Sequence, residues 1–197
     1  MKSNFMRKRI EEHIQRSLDA KSQILNDEFF LTQVEAAAKL CANALKAGKK
    51  ILFAGNGGSA SDAQHLAAEL VGRYKFDRAP LASIALTTDT SALTAIGNDY
   101  GFKDIFSRQV NALANEGDVF VGISTSGNSE NIMEACQAAK DKKCHIIGMS
   151  GAKGKLKDLA DIALAVQAPE TATIQEVHIM LGHILCDGIE QVLFSTK

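Results

Sequence analysis

Residues Ile51-Leu52-Phe53-Ala54-Gly55-Asn56-Gly57-Gly58-Ser59-Ala60-Ser61-Asp62 run from an unbroken apolar stretch into a glycine-rich turn and then into a helical pattern. A short apolar run without polar alternation is what a strand buried on both faces looks like. A helix that begins directly after it leaves free N–H groups and the positive end of its dipole at the turn. Gly55, Gly57 and Gly58 let the backbone approach a ligand closely there. The turn is an anion pocket, and phosphate is its natural guest.

The rest of the chain repeats that strand-then-helix order. Two helical patterns come first, at 4–25 and 28–47; the second places Phe29, Phe30, Val34, Ala37, Ala38, Cys41, Ala44 and Leu45 at helical spacing, and Gly48 closes it. Apolar runs follow at 50–54, 81–87, 118–124, 144–149 and 162–166, none of them joined to the next by a two-residue hairpin. Helical patterns lie at 59–73, 90–97, 102–115, 129–141 and 154–160, and a long one ends the chain at 171–194. The alternation predicts an α/β fold, a three-layer αβα sandwich with a five-stranded parallel sheet, preceded by two N-terminal helices. All 197 residues are expected to form one domain, with 1–47 a helical pair that packs in an oligomer and 48–197 the α/β core and C-terminal helix.

Composition excludes several function classes. At 46% hydrophobic and 23% charged the chain is neither fibrous nor disordered. A net charge of -1 gives no basic surplus for a nucleic-acid partner. The N-terminal Lys2, Arg7, Lys8 and Arg9, mixed with Glu11 and Glu12, lack the apolar core of a secretory signal. No run approaches the roughly eighteen apolar residues of a membrane span. A cytoplasmic protein is expected, with no membrane and no nucleic acid among its partners. Cys41, Cys136, Cys144 and Cys186 form no C-x-x-C pair and read as buried free thiols.

In parallel sheets ligands bind beyond the carboxyl ends of the strands. A second loop suited to that place is Ser124-Thr125-Ser126-Gly127-Asn128-Ser129, between an apolar run and a helix start. Its hydroxyls and helix N-terminus can wrap a phosphate without a cation. The plainer alternative is that these side chains merely cap the helix. A nucleotide cofactor is not expected. Gly55-x-Gly57-x-x-Ala60 matches the loose dinucleotide pattern, but Asp89, the nearest acid after the second strand, lies more than thirty residues beyond Gly55 instead of about twenty. Gly151-Ala152-Lys153-Gly154-Lys155 has the wrong spacing for a Walker loop.

Chemistry requires more than a phosphate grip. His65 and Glu69, four residues apart on the helix that opens at the glycine turn, share one face with about 6 Å of rise between them. Such a pair can chelate a metal or share a proton, although at this spacing many are ordinary surface pairs. The last helix embeds Gln175, Glu176, His178 and His183 in an apolar pattern, where polar groups need partners. His178 is expected to be a satisfied core or interface histidine.

Together these motifs carry a resemblance. Gly55-Asn56-Gly57-Gly58-Ser59, the His65/Glu69 pair followed by Gly72-Arg73-Tyr74, Gly97-Asn98-Asp99-Tyr100-Gly101, the 124–129 loop, and Ile174-Gln175-Glu176-x-His178 with His183 resemble the phosphoheptose isomerases, in order and over nearly the whole chain. These are sugar-isomerase (SIS) domain proteins. The resemblance implies aldose-ketose isomerisation of sedoheptulose 7-phosphate to D-glycero-D-manno-heptose 7-phosphate, the first step of activated heptose biosynthesis for lipopolysaccharide. It implies substrate contacts at Asn56, Gly57, Gly58, Ser59, Glu69, Asn98, Asp99, Ser124, Thr125, Ser126, Ser129 and Gln175. It further implies one zinc per subunit on His65, Glu69, Gln175 and His183, with Glu69 and His183 as catalytic base and acid, in a homotetramer. Gln175 and His183 stand about 12 Å apart along a straight helix and roughly 80° around it, awkward for one ion. A site shared between subunits is therefore expected, or else a bend in the helix. The chain departs from the resemblance at Thr171-Ala172-Thr173, where isomerases often carry a charged residue. The alternative, from a different class, is a non-enzymatic SIS partner-binding protein of the DnaA initiator-associating type, which resembles the Cys186–Phe194 ending but lacks the Glu69/His183 pair.

Overall fold

The computed structural model describes residues 2–195, with side chains from Phe5 onward. Helices α1 (Lys2–Leu25) and α2 (Glu28–Lys46) precede β1 (Ile51–Gly55), α3 (Gly58–Val71), β2 (Ser83–Ala85) and α4 (Thr90–Asp99). A 3-10 turn at Phe102–Asp104 leads to α5 (Ser107–Leu113), β3 (Val119–Ser124), α6 (Glu130–Asp141), β4 (His145–Gly151), α7 (Leu156–Leu159), β5 (Ile162–Val166) and α8 (Thr171–Phe194). The strands form one five-stranded sheet, ordered β2-β1-β3-β4-β5. Every pairing in it is parallel.

The continuous apolar strands are explained by burial on both faces. Ile51 and Phe53, Val119, Val121 and Ile123, and Ile147 and Met149 point into a core shared with α1, α2, α3 and α8. Their neighbours Leu52, Ala54, Phe120 and Ile146 point into a second core with α5, α6 and α7. Local chemistry fixes several helix starts: the Asp27 carboxylate accepts from Phe30 N, and that of Asp89 from Ala92 N.

Two expected helices are shorter than their patterns. The 102–115 stretch breaks into the 3-10 turn and α5, because Gly101 enters it at φ 104 and Ile105 and Phe106 turn into the second core between the two pieces. The 154–160 stretch keeps helix only over Leu156–Leu159. The expectation about membrane-length segments also needs correction. By length and composition alone α8 is apolar enough to cross a membrane. Its apolarity serves the core instead: Val177, Leu181, Leu185, Cys186 and Ile189 are buried against α2, α3 and the sheet.

Candidate active site

With β1 flanked by β2 on one side and β3 on the other, the strand order reverses at β1, and a crevice opens beyond the carboxyl ends of β1 and β3. Both suspected phosphate loops leave the sheet there, from paired residues Gly55 and Ile123. They are tied together by an amide pair: Asn56 Nδ2 donates to Asn131 Oδ1 and Asn131 Nδ2 to Asn56 Oδ1, each at 2.8 Å. With its amide engaged, Asn56 offers a ligand its main chain. Gly57 stands at φ 56 before α3, and no main-chain acceptor among the described residues takes the Gly57 or Gly58 amide. Ser59 packs over Gly55, where a Cβ would lie 2.4 Å from the Ser59 carbonyl oxygen.

The second loop holds its hydroxyls in a cluster. Ser124 Oγ lies 2.9 Å from Ser129 Oγ and 3.4 Å from Ser126 Oγ, and Asn128 N donates to Ser126 Oγ at 3.1 Å. Ser129 occupies the N-cap of α6 yet makes no capping bond with its side chain. Its hydroxyl turns to Ser124, so mere helix capping does not describe the loop. Thr125 and Ser126 line a cavity of about 250 Å³ with Lys153 and Thr171, the latter in the stretch where the chain departs from the isomerase pattern. Asn98 and Asp99 lie exposed at the end of α4, bonded to each other at 2.8 Å. No hydrogen bond among the described residues joins them to either loop, though the adjacent Gly97 borders a largely apolar cavity of about 460 Å³ with Asn56 and Gly57.

Helices α3 and α8 run side by side from this crevice. The Gln175 amide lies against Gly58, where a Cβ would meet Gln175 Nε2 at 1.7 Å; two turns on, a Cβ on Gly182 would meet Leu66 Cδ2 at 2.5 Å. The register brings the far ends together. His65 Nε2 lies 3.0 Å from His183 Nε2 and 3.2 Å from Glu69 Oε1. One ligand atom from each of the three residues falls within 4.8 Å of the other two. Zinc bonds of about 2.0–2.1 Å place tetrahedral ligand atoms about 3.3 Å apart, so this donor set fits such an ion. Because α8 is unbroken and Gln175 rests on Gly58, Gln175 is not beside His183 of its own chain.

Residues 14–151 match the SIS domain family. The phosphoheptose isomerase of Sulfurimonas denitrificans is 50% identical over 191 residues, covering 96% of this chain and 98% of the relative. That of Helicobacter hepaticus is 56% identical over 179 residues, 90% of this chain and 91% of the relative. The chain belongs to the SIS-domain phosphoheptose isomerases. Among solved structures, the phosphoheptose isomerase of Neisseria gonorrhoeae superposes with a TM-score of 0.88 at 47% identity, over 94% of this chain and 99% of that one.

Three groups of this phosphoheptose isomerase family member, two beside the cluster and one at the loops, have contacts that a reading of the sequence does not assign. Asp62, one turn before His65, is buried with Oδ2 unpartnered. Burial pushes its carboxyl above the usual range, while nearby His65 and His183 draw it down. The Tyr74 ring stacks on His183, with centroids 5.7 Å apart and planes at 19°. Asn131 orders the two loops. The i, i+3 spacing of Asp62 and His65 was a visible signal for the first; nothing local marks Asn131.

His178 lies in the core, as expected, but is not satisfied there. It is fully buried, and neither ring nitrogen makes a hydrogen bond of good geometry, although the Ser150 main chain is close enough to favour the charged ring. Burial dominates and lowers its pKa to about 4. Above pH 6.5 the ring is neutral in both folded and unfolded chains. As pH falls toward 4 only the unfolded chain takes up the proton, and stability falls by up to about 3 kcal/mol. Urea unfolding between pH 7.5 and 4.5 should show this loss, and His178→Leu should lose less stability over the same window; an identical pH dependence in the variant contradicts the assignment.

Proposed function

We propose that this chain isomerises sedoheptulose 7-phosphate to D-glycero-D-manno-heptose 7-phosphate by enediol proton transfer, as an early enzyme of activated heptose synthesis. One observation carries the reading: Glu69 and His183, from different helices, converge on His65, about two helical turns along α3 from the Gly57/Gly58 turn. A phosphate held by the Gly57/Gly58 and Ser124–Ser129 loops, with the sugar lying along α3 and α8, presents its first carbons to the cluster. Names of relatives around 50% identical over nearly the whole chain support the same chemistry.

In this mechanism Glu69 takes a proton from carbon 1 while His183 protonates the carbonyl oxygen on carbon 2, giving the cis-enediol. Glu69 then returns a proton to carbon 2, and His183 removes the one on oxygen 1, leaving the aldose. Proton count and charge balance, and no external reductant is needed. His65, Glu69 and His183 would hold a zinc ion, which when bound supplies Lewis-acid polarisation of the substrate oxygens. Tyr74 keeps the His183 ring from rotating by stacking on it.

Gln175 becomes the fourth ligand only if another subunit brings it, which favours a homotetramer with shared sites. An apolar groove of about 390 Å³ along α2 and α8, and exposed Ile10, Ile14 and Leu18 at four-residue spacing on α1, give such an assembly surfaces to bury. Four buried free thiols suit the reducing cytoplasm. The partner-binding alternative is disfavoured, because a binder has no use for a converged carboxylate and imidazole. Incubating the purified protein with sedoheptulose 7-phosphate and following aldose formation tests the function; absence of product with zinc supplied would overturn it.

A further inference from the structure

The segment from the end of α3 to β2 is organised around one ion pair that the chemistry above does not use. Arg78 Nε donates to Glu190 Oε1 at 2.9 Å, with side chains 1% and 0% exposed. Arg78 Nη2 donates to the Glu69 carbonyl at 2.8 Å, and Nη1 is shared among the carbonyls of Leu70 at 2.8 Å and of Gly72 and Ala79 at 3.1 Å. Glu190 in turn accepts from Tyr74 N and Lys75 N, each at 2.9 Å. The guanidinium also lies over the Phe194 ring, 5.9 Å from its centre.

These bonds end on the residues that carry the site. Arg78 grips the main chain of Glu69, and Glu190 grips that of Tyr74, whose ring lies on His183. Glu190 itself sits on α8 two turns beyond His183, on the same rigid element. The pair thus sets the distance between the carboxyl end of α3, with its carboxylate, and α8, with its imidazole. A buried ion pair adds little net stability over an apolar pair of equal size, so what it contributes here is geometry. Only a planar fork can reach four carbonyls and a carboxylate at once.

We propose that Arg78 and Glu190 are positioning residues of the isomerase, acting through Glu69 and through Tyr74 on His183. This rests on the functional reading above. The test compares Arg78→Lys and Glu190→Gln with the wild-type protein, measuring melting temperature, affinity for zinc ion alone by chelator competition, and kcat and KM for sedoheptulose 7-phosphate. The expected result in folded protein is zinc affinity and kcat each lowered by about 10-fold or more, the scale of lost outer-shell support. KM should stay within about twofold, because the phosphate loops are untouched. A folded variant with wild-type zinc affinity and kcat overturns the proposal. Failure of both variants to fold also overturns it, since the pair would then be a folding element only; if one fails, the other decides. A wild-type protein that makes no aldose, with variants that still lose zinc affinity, refutes the functional reading and supports the positioning role.

Discussion

Glu69→Gln lowers kcat for sedoheptulose 7-phosphate by about a thousandfold or more, and His183→Gln does the same, within the range found for removal of a positioned acid or base. Glutamine preserves size and an acceptor oxygen at position 69 but cannot carry a proton from carbon to carbon. Neither substitution opens a cavity, since the Glu69 side chain is 22% exposed and His183 borders an open cleft with Tyr74, Lys75 and Asp187. KM should change far less than kcat, because the phosphate loops stand about two helical turns away. Steady-state kinetics with zinc in excess separates lost proton transfer from lost metal. Variants retaining a tenth of wild-type kcat would remove these residues from the chemistry.

Sedoheptulose without its phosphate should be turned over with kcat/KM lower by about a thousandfold. Charge-assisted hydrogen bonds contribute about 1.5–3 kcal/mol each. Ser124, Ser126 and Ser129 already hold one another in a cluster at the start of α6, so little ordering is needed when a phosphate binds. If roughly 4 kcal/mol of that interaction is realised in the transition state, the factor is about 10³. Part of the loss should appear in kcat, because a sugar not anchored at carbon 7 presents carbons 1 and 2 to Glu69 in many orientations. Equal kcat/KM for the two sugars would mean that the loops bind something other than the substrate's phosphate.

How much of this was legible in the sequence depends on the range of each interaction. The five strands fall within a residue or two of their apolar runs, apart from a shorter β2, because burial on both faces leaves a local signature. The His65/Glu69 pair is equally local, since helix geometry fixes i, i+4 neighbours. The 102–115 pattern misled because apolar spacing does not show that Gly101 turns the chain into the core. Asn56 with Asn131, and Arg78 with Glu190, are separated by 75 and 112 residues, and only the folded chain brings them together. His183 entered the site through family resemblance, and its contact with His65 is a product of the α3/α8 register set at Gly58 and Gly182.

The most direct test runs the reaction in deuterium oxide and locates label in the aldose. Proton transfer through Glu69, a carboxylate partly open to solvent, predicts deuterium on carbon 2 of the product from the wild-type enzyme, with product formation and exchange at carbon 1 both slowed about a thousandfold or more in Glu69→Gln. Aldose with only protium at carbon 2, formed by Glu69→Gln as fast as by the wild-type enzyme, would mean that hydrogen moves directly between the carbons, contradicting the base assigned here.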